Sequence, residues 1–267
     1  MAPVFYENKI TVIHDVSWRH FPKYFSKGFY LWYRLLIPKI AKSSKKILTV
    51  SEFSKNDISA KLNLNPDKIV VIYGSVTGDF KSLPLEKEKI ILSVASLHYY
   101  KNPKGLIKAF IYLKNNNKFL DYHLVLIGGY NKNVFAKTNI FELSKNRDDI
   151  IFTGYLPDEK LIEYYNKASF VCFSIFFFEG FGIPPLEAMA CGCPCVVSNA
   201  ASLPEVCGDA AYYVNPYDID DIARGIEKVL TDEKLRENLI KKGFENIKRF
   251  SWEKSAQKIA ELIKSIS

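Results

Sequence analysis

The sequence predicts an α/β protein with parallel sheets, and three patterns support this class. From Lys89 onward, short apolar runs alternate with helical segments, as they do in chains that form parallel sheets. Several of these runs are almost wholly apolar, which is typical of strands buried on both faces. The third pattern is a loop with two glycines, Gly180 and Gly182, between an apolar run and a helix start.

The first part of the chain is predicted to contain three strands and two helices. The strands are Ile10–Ile13, Lys46–Val50 and Lys68–Tyr73. A helix is predicted over Gly28–Ala41, interrupted or kinked at Pro38. A second helix follows Val50, with Ser51 or Ser54 as its cap.

The second part alternates strands and helices regularly. The predicted strands are Ile90–Ser96, His123–Ile127, Ile150–Gly154, Phe170–Ile175, Cys195–Ser198 and Ala211–Val214. Helices are predicted to begin near Pro103, Asn131, Asp158 and Ile183, with two more over Asp218–Leu230 and Asp232–Arg249. A last helix runs from Phe250 to Ile266, and Ser251 is its candidate cap.

Composition is typical of a globular protein and limits the chemistry. The 267 residues are 48% hydrophobic and 25% charged, so the chain can bury a sizeable core. The longest apolar run is shorter than a membrane span, and no signal peptide is expected, so we predict a cytoplasmic location. The one-residue gaps of Cys191-Gly-Cys193-Pro-Cys195 do not match zinc spacing, and no metal is expected.

The net charge of +8 is concentrated in residues 16–51, which contain eight basic residues and no acidic ones. The same segment is rich in aromatic residues. This mixture is typical of a surface that rests on an anionic membrane leaflet or receives an anionic acceptor. A solvated helix with its aromatic side chains in the core explains the pattern equally well. Nucleic acid is not expected, because no groove-reading motif accompanies the charge.

The loop around Gly180 has the features of a phosphate site flanked by carboxylates. Glycines let backbone amides approach a ligand closely, and a helix N-terminus favours an anion. Glu179 precedes this helix and Glu187 lies about one turn inside it, where both can accept hydrogen bonds from sugar hydroxyls. A nucleotide-sugar requires this combination. Acids at a helix start are also common without a ligand, because the helix dipole favours them.

Two further candidates follow predicted strands, where groups of α/β sheets meet a ligand. His14 and, more weakly, Asp15 end the first strand, and Lys101 follows the strand Ile90–Ser96. Lys101 can neutralise a diphosphate as a point charge. Taken alone, a histidine after a strand is more often a hydrogen-bonding loop residue than a ligand contact, and Lys101 is also interpretable as one of many surface lysines.

The string from Glu179 to Glu187, with Gly-Phe-Gly-Ile-Pro-Pro between them and Ala-Met-Ala-Cys-Gly-Cys-Pro after, resembles the donor-site motif of retaining glycosyltransferases of family 4. Val50–Ile58, Ser202–Val206 and Gly208–Ala211 are similar to the same family. The resemblance implies the GT-B fold: a C-terminal nucleotide-sugar-binding domain at 84–250, a partial N-terminal acceptor-side domain at 1–83, and a helix at 251–267 that crosses back to the N-terminal domain.

The resemblance also implies roles for the candidate residues. Glu179 would contact the transferred sugar, Glu187 the ribose, and His14 the acceptor side. The other expected donor-binding residues are Ser96, Lys101, Asn102, Gly154, Tyr155, Gly180, Phe181, Gly182 and Ile183. Many members carry an arginine shortly before the lysine, and Ser93–Tyr100 has none.

A first domain of this fold is normally longer than residues 1–83. We therefore expect a fragment, a reduced domain, or a partner chain that completes the sheet, with self-association if its edges stay open. The expected activity is metal-independent transfer, with retention, of a mannose- or glucose-type hexose from a nucleotide-diphosphate sugar to a glycan or lipid-linked acceptor in surface polysaccharide synthesis. The alternative is a non-catalytic nucleotide-sugar-binding fragment or subunit that needs a partner chain. The base stays open.

Overall fold

The computed structural model describes residues 3–6, 8–129, 140–169, 172–174 and 177–266, without the side chains of 172–174 and 266. These residues form two compact units, one made of the described residues up to 74 and from 250 onward, the other of those between 75 and 249. The predicted α/β class with parallel sheets is confirmed. The predicted boundaries at residues 83 and 250 stay predictions, and the two units divide after Gly74 and after Arg249.

The described residues contain nine strands and eleven α-helices. The strands are β1 Ile10–Val12, β2 Lys46–Thr49, β3 Ile69–Val71, β4 Ile90–Val94, β5 His123–Ile127, β6 Ile150–Gly154, β7 Cys172–Ser174, β8 Cys195–Ser198 and β9 Ala211–Val214. The helices are α1 Ser17–His20, α2 Lys27–Ser43, α3 Glu52–Leu62, α4 Pro103–Asn115, α5 Ile140–Leu143, α6 Asp158–Lys167, α7 Ile183–Ala190, α8 Leu203–Cys207, α9 Ile219–Thr231, α10 Glu233–Ile247 and α11 Trp252–Ile266. The helix predicted near Asn131 lies outside the described residues.

The first unit contains a parallel sheet in the order β1-β2-β3, so all three predicted strands are confirmed. Ile47 on the middle strand pairs with Thr11 on one side and with Ile69 on the other. Ile47 and Ile69 are almost fully buried, whereas Val12 on the outer strand β1 is 55% exposed. The apolar runs of the sequence thus mark the centre of this sheet better than its outer strand.

Helix α2 continues through Pro38, so the predicted interruption is wrong, while the alternative of a kink stays a prediction. A proline removes one backbone hydrogen bond from a helix, which weakens it without always breaking it. The buried residues of α2, Ile40 and Ala41, follow the proline. Their burial stabilises the last turn, because tertiary packing supplies most of the stability of a short helix.

Two of the three candidate capping serines accept hydrogen bonds from backbone amides at helix starts. Ser51, in extended backbone, accepts a hydrogen bond from the Ser54 amide at 3.0 Å and is therefore the cap of α3. Ser251 accepts one from the Lys254 amide at 3.3 Å at the start of α11. Helix α11 belongs to the first unit, where the Ser255 hydroxyl donates to the Tyr73 carbonyl at 2.7 Å.

The second unit contains a six-stranded parallel sheet in the order β6-β5-β4-β7-β8-β9. The predicted strands are confirmed, and the described residues of Phe170–Ile175 form β7. From β4 the chain proceeds to β5 and β6 on one side and then returns to β7 on the other. The strand order therefore reverses between β4 and β7, which is the place where open α/β sheets bind ligands at the carboxyl ends of their strands.

Candidate functional site

An ion pair lies at the reversal of the second sheet. Lys101 follows β4 and Glu179 follows β7, and the Lys101 Nζ donates to Glu179 Oε2 at 2.6 Å. Both side chains are only 15% exposed, so water screens this pair less than it screens a surface pair. The structure thus brings together the two residues to which we assigned the diphosphate and the transferred sugar.

The loops that carry the pair are bonded to each other. The Tyr100 carbonyl accepts hydrogen bonds from the amides of Phe177 at 2.9 Å and Phe178 at 3.4 Å. This joins the segment after β4 to the segment after β7 through main-chain groups. Because backbone bonds fix both loops, Lys101 and Glu179 hold their relative position without relying on their own contact alone.

Ser202 holds the loop of Glu179 from the other side. Its side chain is fully buried, and its hydroxyl lies 2.8 Å from the carbonyls of both Glu179 and Phe181. The Ser202 amide also donates to the Glu179 carbonyl at 3.4 Å. The sequence suggested no role for this side chain. A serine before a helix normally reads as a cap, yet Ser202 makes no side-chain cap bond to α8.

The first turn of α7 has fewer backbone N–H donors than the first turn of most helices. Pro184 and Pro185 have no N–H, so the first turn offers a ligand the amides of Gly182 and Ile183. Gly182 has a positive φ of 114°, and a Cβ there would meet the Leu203 side chain at 2.9 Å. Only glycine fits this position well, which explains the second glycine of the motif. The Gly180 amide bonds to Glu179 Oε1 at 3.1 Å.

Glu187 lies on α7 and is held by a buried tyrosine. The Tyr165 hydroxyl donates to Glu187 Oε2 at 2.9 Å, and the Tyr165 side chain is fully buried. Burial raises the pKa of Glu187 above its usual value, although the Tyr165 bond opposes the shift. Tyr165, on α6, is a second site residue that the sequence did not identify, because nothing in the pattern of α6 distinguishes it from a core aromatic.

Asn102 has a structural function beside Lys101. Its backbone is left-handed, its Oδ1 accepts from the Gly105 amide at 3.0 Å, and its Nδ2 donates to the Pro216 carbonyl at 2.8 Å. Asn102 is 4% exposed. Both polar atoms of its side chain are thus used within the protein, so it positions Lys101 and α4. Direct binding of a donor by Asn102 stays a prediction.

The remaining donor-site candidates lie on the same edge of this sheet. Ser96 is half-buried just after β4, where its carbonyl accepts from the His98 amide at 2.8 Å. Gly154 ends β6 with a φ of 72°, and Tyr155 after it is 83% exposed. His98 is buried, and burial and the Lys101 charge lower its pKa to about 4, so it is neutral at physiological pH.

His14 and Asp15 belong to the first unit. They help to line a cavity of about 370 Å³ with aromatic walls that include Trp18 and Phe29. His14 is exposed and its carbonyl accepts from the Thr49 hydroxyl at 3.1 Å. Asp15 accepts from the Ser17 amide at 2.8 Å, which gives its carboxylate a local structural function at α1.

Among the residues that the structure describes, no three His, Cys, Asp or Glu side chains are grouped closely enough to hold a metal ion. Cys191, Cys193, Cys195 and Cys207 are buried and form no disulfide bonds. Burial raises the pKa of Cys191 to about 12, so this thiol stays protonated. The expectation that the reaction needs no metal stays a prediction.

Residues 75–246 match the family described as Glycosyl transferases group 1. The chain belongs to this family. The prediction that it is a glycosyltransferase is therefore confirmed at the level of the family. Assignment to family 4 and retention of configuration stay predictions, as do the individual site residues.

Relatives of this group 1 glycosyltransferase include O-antigen enzymes. O-antigen chain mannosyltransferase B of Escherichia coli is 35% identical over 262 residues, which cover 92% of this chain and 68% of the relative. Serotype-specific mannosyltransferase WbdA of Escherichia coli is 31% identical over 227 residues, which cover 79% of this chain but only 27% of the relative. The chain thus spans very different shares of the relatives that it matches.

A solved structure supports the fold class. The crystal structure of Anabaena Alr3699/HepE in complex with UDP and glucose has a TM-score of 0.79 at 18% identity, and the match covers 97% of this chain and 72% of that chain. At this identity the likeness shows the fold alone. The predicted GT-B-like class is confirmed.

Proposed function

We propose that the chain binds a nucleotide-diphosphate sugar at the carboxyl edge of the second sheet and transfers its hexosyl group to a glycan or lipid-linked acceptor in surface polysaccharide synthesis. The observation that carries this proposal is the largely buried pair of Lys101 and Glu179 at the reversal of strand order. A cation and a hydroxyl acceptor, held side by side at such a place, suit the two chemical ends of a sugar diphosphate.

The pair exchanges partners when the donor binds. In the structure, Lys101 and Glu179 neutralise each other at 2.6 Å. A diphosphate offers Lys101 more negative charge, and the released Glu179 then accepts hydrogen bonds from sugar hydroxyls. In the transition state, negative charge grows on the leaving diphosphate, where Lys101 and the amides of Gly182 and Ile183 stabilise it as preorganised donors.

Glu187 serves the ribose in this proposal. Tyr165 holds Oε2, so ribose hydroxyls would donate to the other carboxylate oxygen. The Glu187 carboxylate is fixed and partly desolvated. Leaving one of its oxygens without a hydrogen bond is costly, so this oxygen favours a ligand that donates from a hydroxyl. Gly154 and the exposed Tyr155, after β6, are proposed to contact the base. His14 of the first unit is proposed to serve the acceptor.

Mannose is the proposed sugar, and a glucose-type sugar is the alternative to be tested. The relatives named above are mannosyltransferases by name, and they support mannose for this chain. Retention of configuration and independence of metal belong to the same proposal. They follow from the resemblance of the Glu179–Glu187 string to retaining enzymes.

Helix α2 is proposed to rest on an anionic membrane surface. Leu31, Trp32 and Leu35 lie on one face of this helix and are 54–57% exposed. The basic residues Arg34 and Lys39 share that exposed face, and an apolar face with a basic border suits the interface of an anionic leaflet. No helix in the described part of the chain is long and apolar enough to cross a bilayer.

Flotation with liposomes tests this placement. The wild-type chain should float with vesicles that contain anionic lipid, and Trp32→Ser with Leu35→Ser should reduce the floating fraction strongly. Tyr112→Ser, at an exposed position on α4 of the second unit, is the matched control. Equal flotation of the wild type and the double variant would contradict the placement.

A thermal-shift screen with nucleoside diphosphates, followed by a transfer assay with labelled nucleotide-sugars, tests the activity. A ligand that binds only the folded state raises Tm by mass action. We expect a shift with one base and transfer that Glu179→Ala abolishes. Binding without transfer or slow hydrolysis would support the alternative of a non-catalytic binding subunit, and absence of any shift would contradict both.

A further inference from the structure

Three aromatic side chains from three separate loops pack together at the carboxyl edge of the second sheet. Tyr99 follows β4, Phe177 follows β7 and Tyr217 follows β9, and we call them the aromatic cluster. The rings of Phe177 and Tyr217 are nearly parallel, at 14°, with centroids 4.8 Å apart. The Tyr99 ring lies 5.3 Å from that of Phe177.

The aromatic cluster is exposed although its backbone is fixed. Tyr217 is 72% exposed and Tyr99 is 42% exposed. The Tyr217 amide donates to Asn215 Oδ1 at 3.0 Å, and Asn102 bonds to the neighbouring Pro216 carbonyl at 2.8 Å. Phe177 covers one face of the Tyr217 ring. Because Tyr217 is 72% exposed, the other face of its ring is open to solvent. Adjacent exposed aromatics on a rigid support mark a binding surface more often than a folding requirement.

The position of the aromatic cluster relative to the proposed donor site limits the kinds of ligand that the cluster can bind. Tyr99 lies two residues before Lys101, and Phe177 lies two residues before Glu179. Gly154, the proposed base contact, ends β6 at one edge of the sheet, whereas Tyr217 follows β9 at the opposite edge. Because Tyr217 stacks on Phe177 and the Pro216 carbonyl bonds to Asn102, the aromatic cluster lies beside the proposed diphosphate and sugar contacts and away from the proposed base contact at the end of β6.

We propose that the aromatic cluster is an acceptor subsite that stacks a pyranose ring of a glycan chain. This inference rests on the proposed function. A pyranose presents C–H bonds of slight positive charge on its face, and the face of an aromatic ring is slightly negative, so the two attract. An open ring face with a second ring behind it offers a flat platform that fits a sugar ring better than a phosphate or a charged headgroup.

Oligosaccharide binding to the full chain tests the proposal, with α-linked mannotriose as the probe and ligand-observed NMR as the measurement. The probe follows from the O-antigen chain relatives. Tyr217→Ala should weaken mannotriose binding roughly fivefold or more, which is the lower end of what stacking on an aromatic ring contributes. Tyr217→Phe should keep the affinity, and so should Tyr112→Ala, which removes a 48% exposed tyrosine elsewhere in the same unit.

Nucleoside diphosphate binding to the same variants distinguishes a failure of the acceptor-subsite proposal from a failure of the proposed function. Tyr217→Ala should bind the nucleotide as the wild type does. Weaker nucleotide binding would assign the ring to the donor and overturn the proposal. Unchanged mannotriose affinity of Tyr217→Ala, or a wild type that binds nucleotide but no mannotriose, would overturn it as well. A wild type that binds no nucleotide would contradict the proposed function itself.

Discussion

The exchange of partners by Lys101 predicts that one substitution has opposite effects on nucleotide binding and on transfer. Glu179→Gln removes the charge that Lys101 must leave before it contacts a phosphate, while it keeps the size of the side chain. A nucleoside diphosphate carries no hexose, so the substitution removes no sugar contact from it. It should therefore bind more tightly to Glu179→Gln than to the wild type. Transfer should fall, because the amide is a weaker and differently oriented partner for the sugar hydroxyls.

The magnitude follows from the geometry of the pair. At 2.6 Å, two unit charges attract by about 6 kcal/mol at an effective dielectric constant of about 20. Desolvation offsets most of that attraction, and a charge-assisted hydrogen bond contributes about 1.5–3 kcal/mol net. Tighter binding by roughly tenfold or more is expected, since a tenfold change equals about 1.4 kcal/mol. The neutral amide of the Glu179→Gln variant also leaves Lys101 as an uncompensated, mostly buried charge, so Tm should fall without nucleotide.

Isothermal titration calorimetry with GDP and UDP measures this effect for the wild type and Glu179→Gln. Glu163→Gln is the matched control, because Glu163 also pairs with lysines, Lys160 and Lys167, but on the exposed face of α6. The control should bind the nucleotide as the wild type does. Unchanged or weaker nucleotide affinity of Glu179→Gln would refute the exchange of partners.

Three further predictions concern the support of the site. Ser202→Ala removes the hydroxyl that bonds to the Glu179 carbonyl, and urea unfolding should show a loss of about 1–2 kcal/mol in unfolding free energy. The variant should lose more transfer activity than nucleotide affinity. An equal loss of both would contradict a positioning function. Gly182→Ala places a Cβ 2.9 Å from Leu203 at a φ of 114°, and should cost about 1–3 kcal/mol, whereas Gly129→Ala, which meets no atom within 4 Å, should cost little. For Glu187 the folded pKa lies above the value of 4.5, so its contribution to stability declines as pH rises from 4.5 through the raised pKa. Tyr165→Phe should raise that pKa further, and a carboxyl titration by NMR that shows a lower pKa would contradict this account.

The strands were predictable because their pattern depends on near neighbours. All nine strands in the described part of the chain lie where apolar runs place them, within a few residues. The interruption predicted at Pro38 is wrong for the same reason. The helix propensity of a proline is a local quantity, and the burial of Ile40 and Ala41 is a tertiary one that outweighs it.

The candidate site was predictable only in part. Glu179, Gly182 and Glu187 form a local string, and a helix start after glycines indicates a ligand without knowledge of the rest. Donor binding by Asn102 stays a prediction, and the structure adds that its polar atoms bond to Gly105 and Pro216. The partner at Pro216 lies more than a hundred residues along the chain. A single sequence contains no signal for such a contact.

The sequence by itself determined the parallel α/β class, the strand positions, the glycine loop before α7 and the family of the chain, since each depends on residues close together in the chain. The tertiary structure alone decided which of these pieces meet. Placing β4 beside β7 brings Lys101 to Glu179 across 78 positions, sets Ser202 beneath the loop, and stacks Phe177 on Tyr217. The physical reason is that sheet order and burial are properties of the whole fold, whereas apolar periodicity and caps are properties of a few consecutive residues.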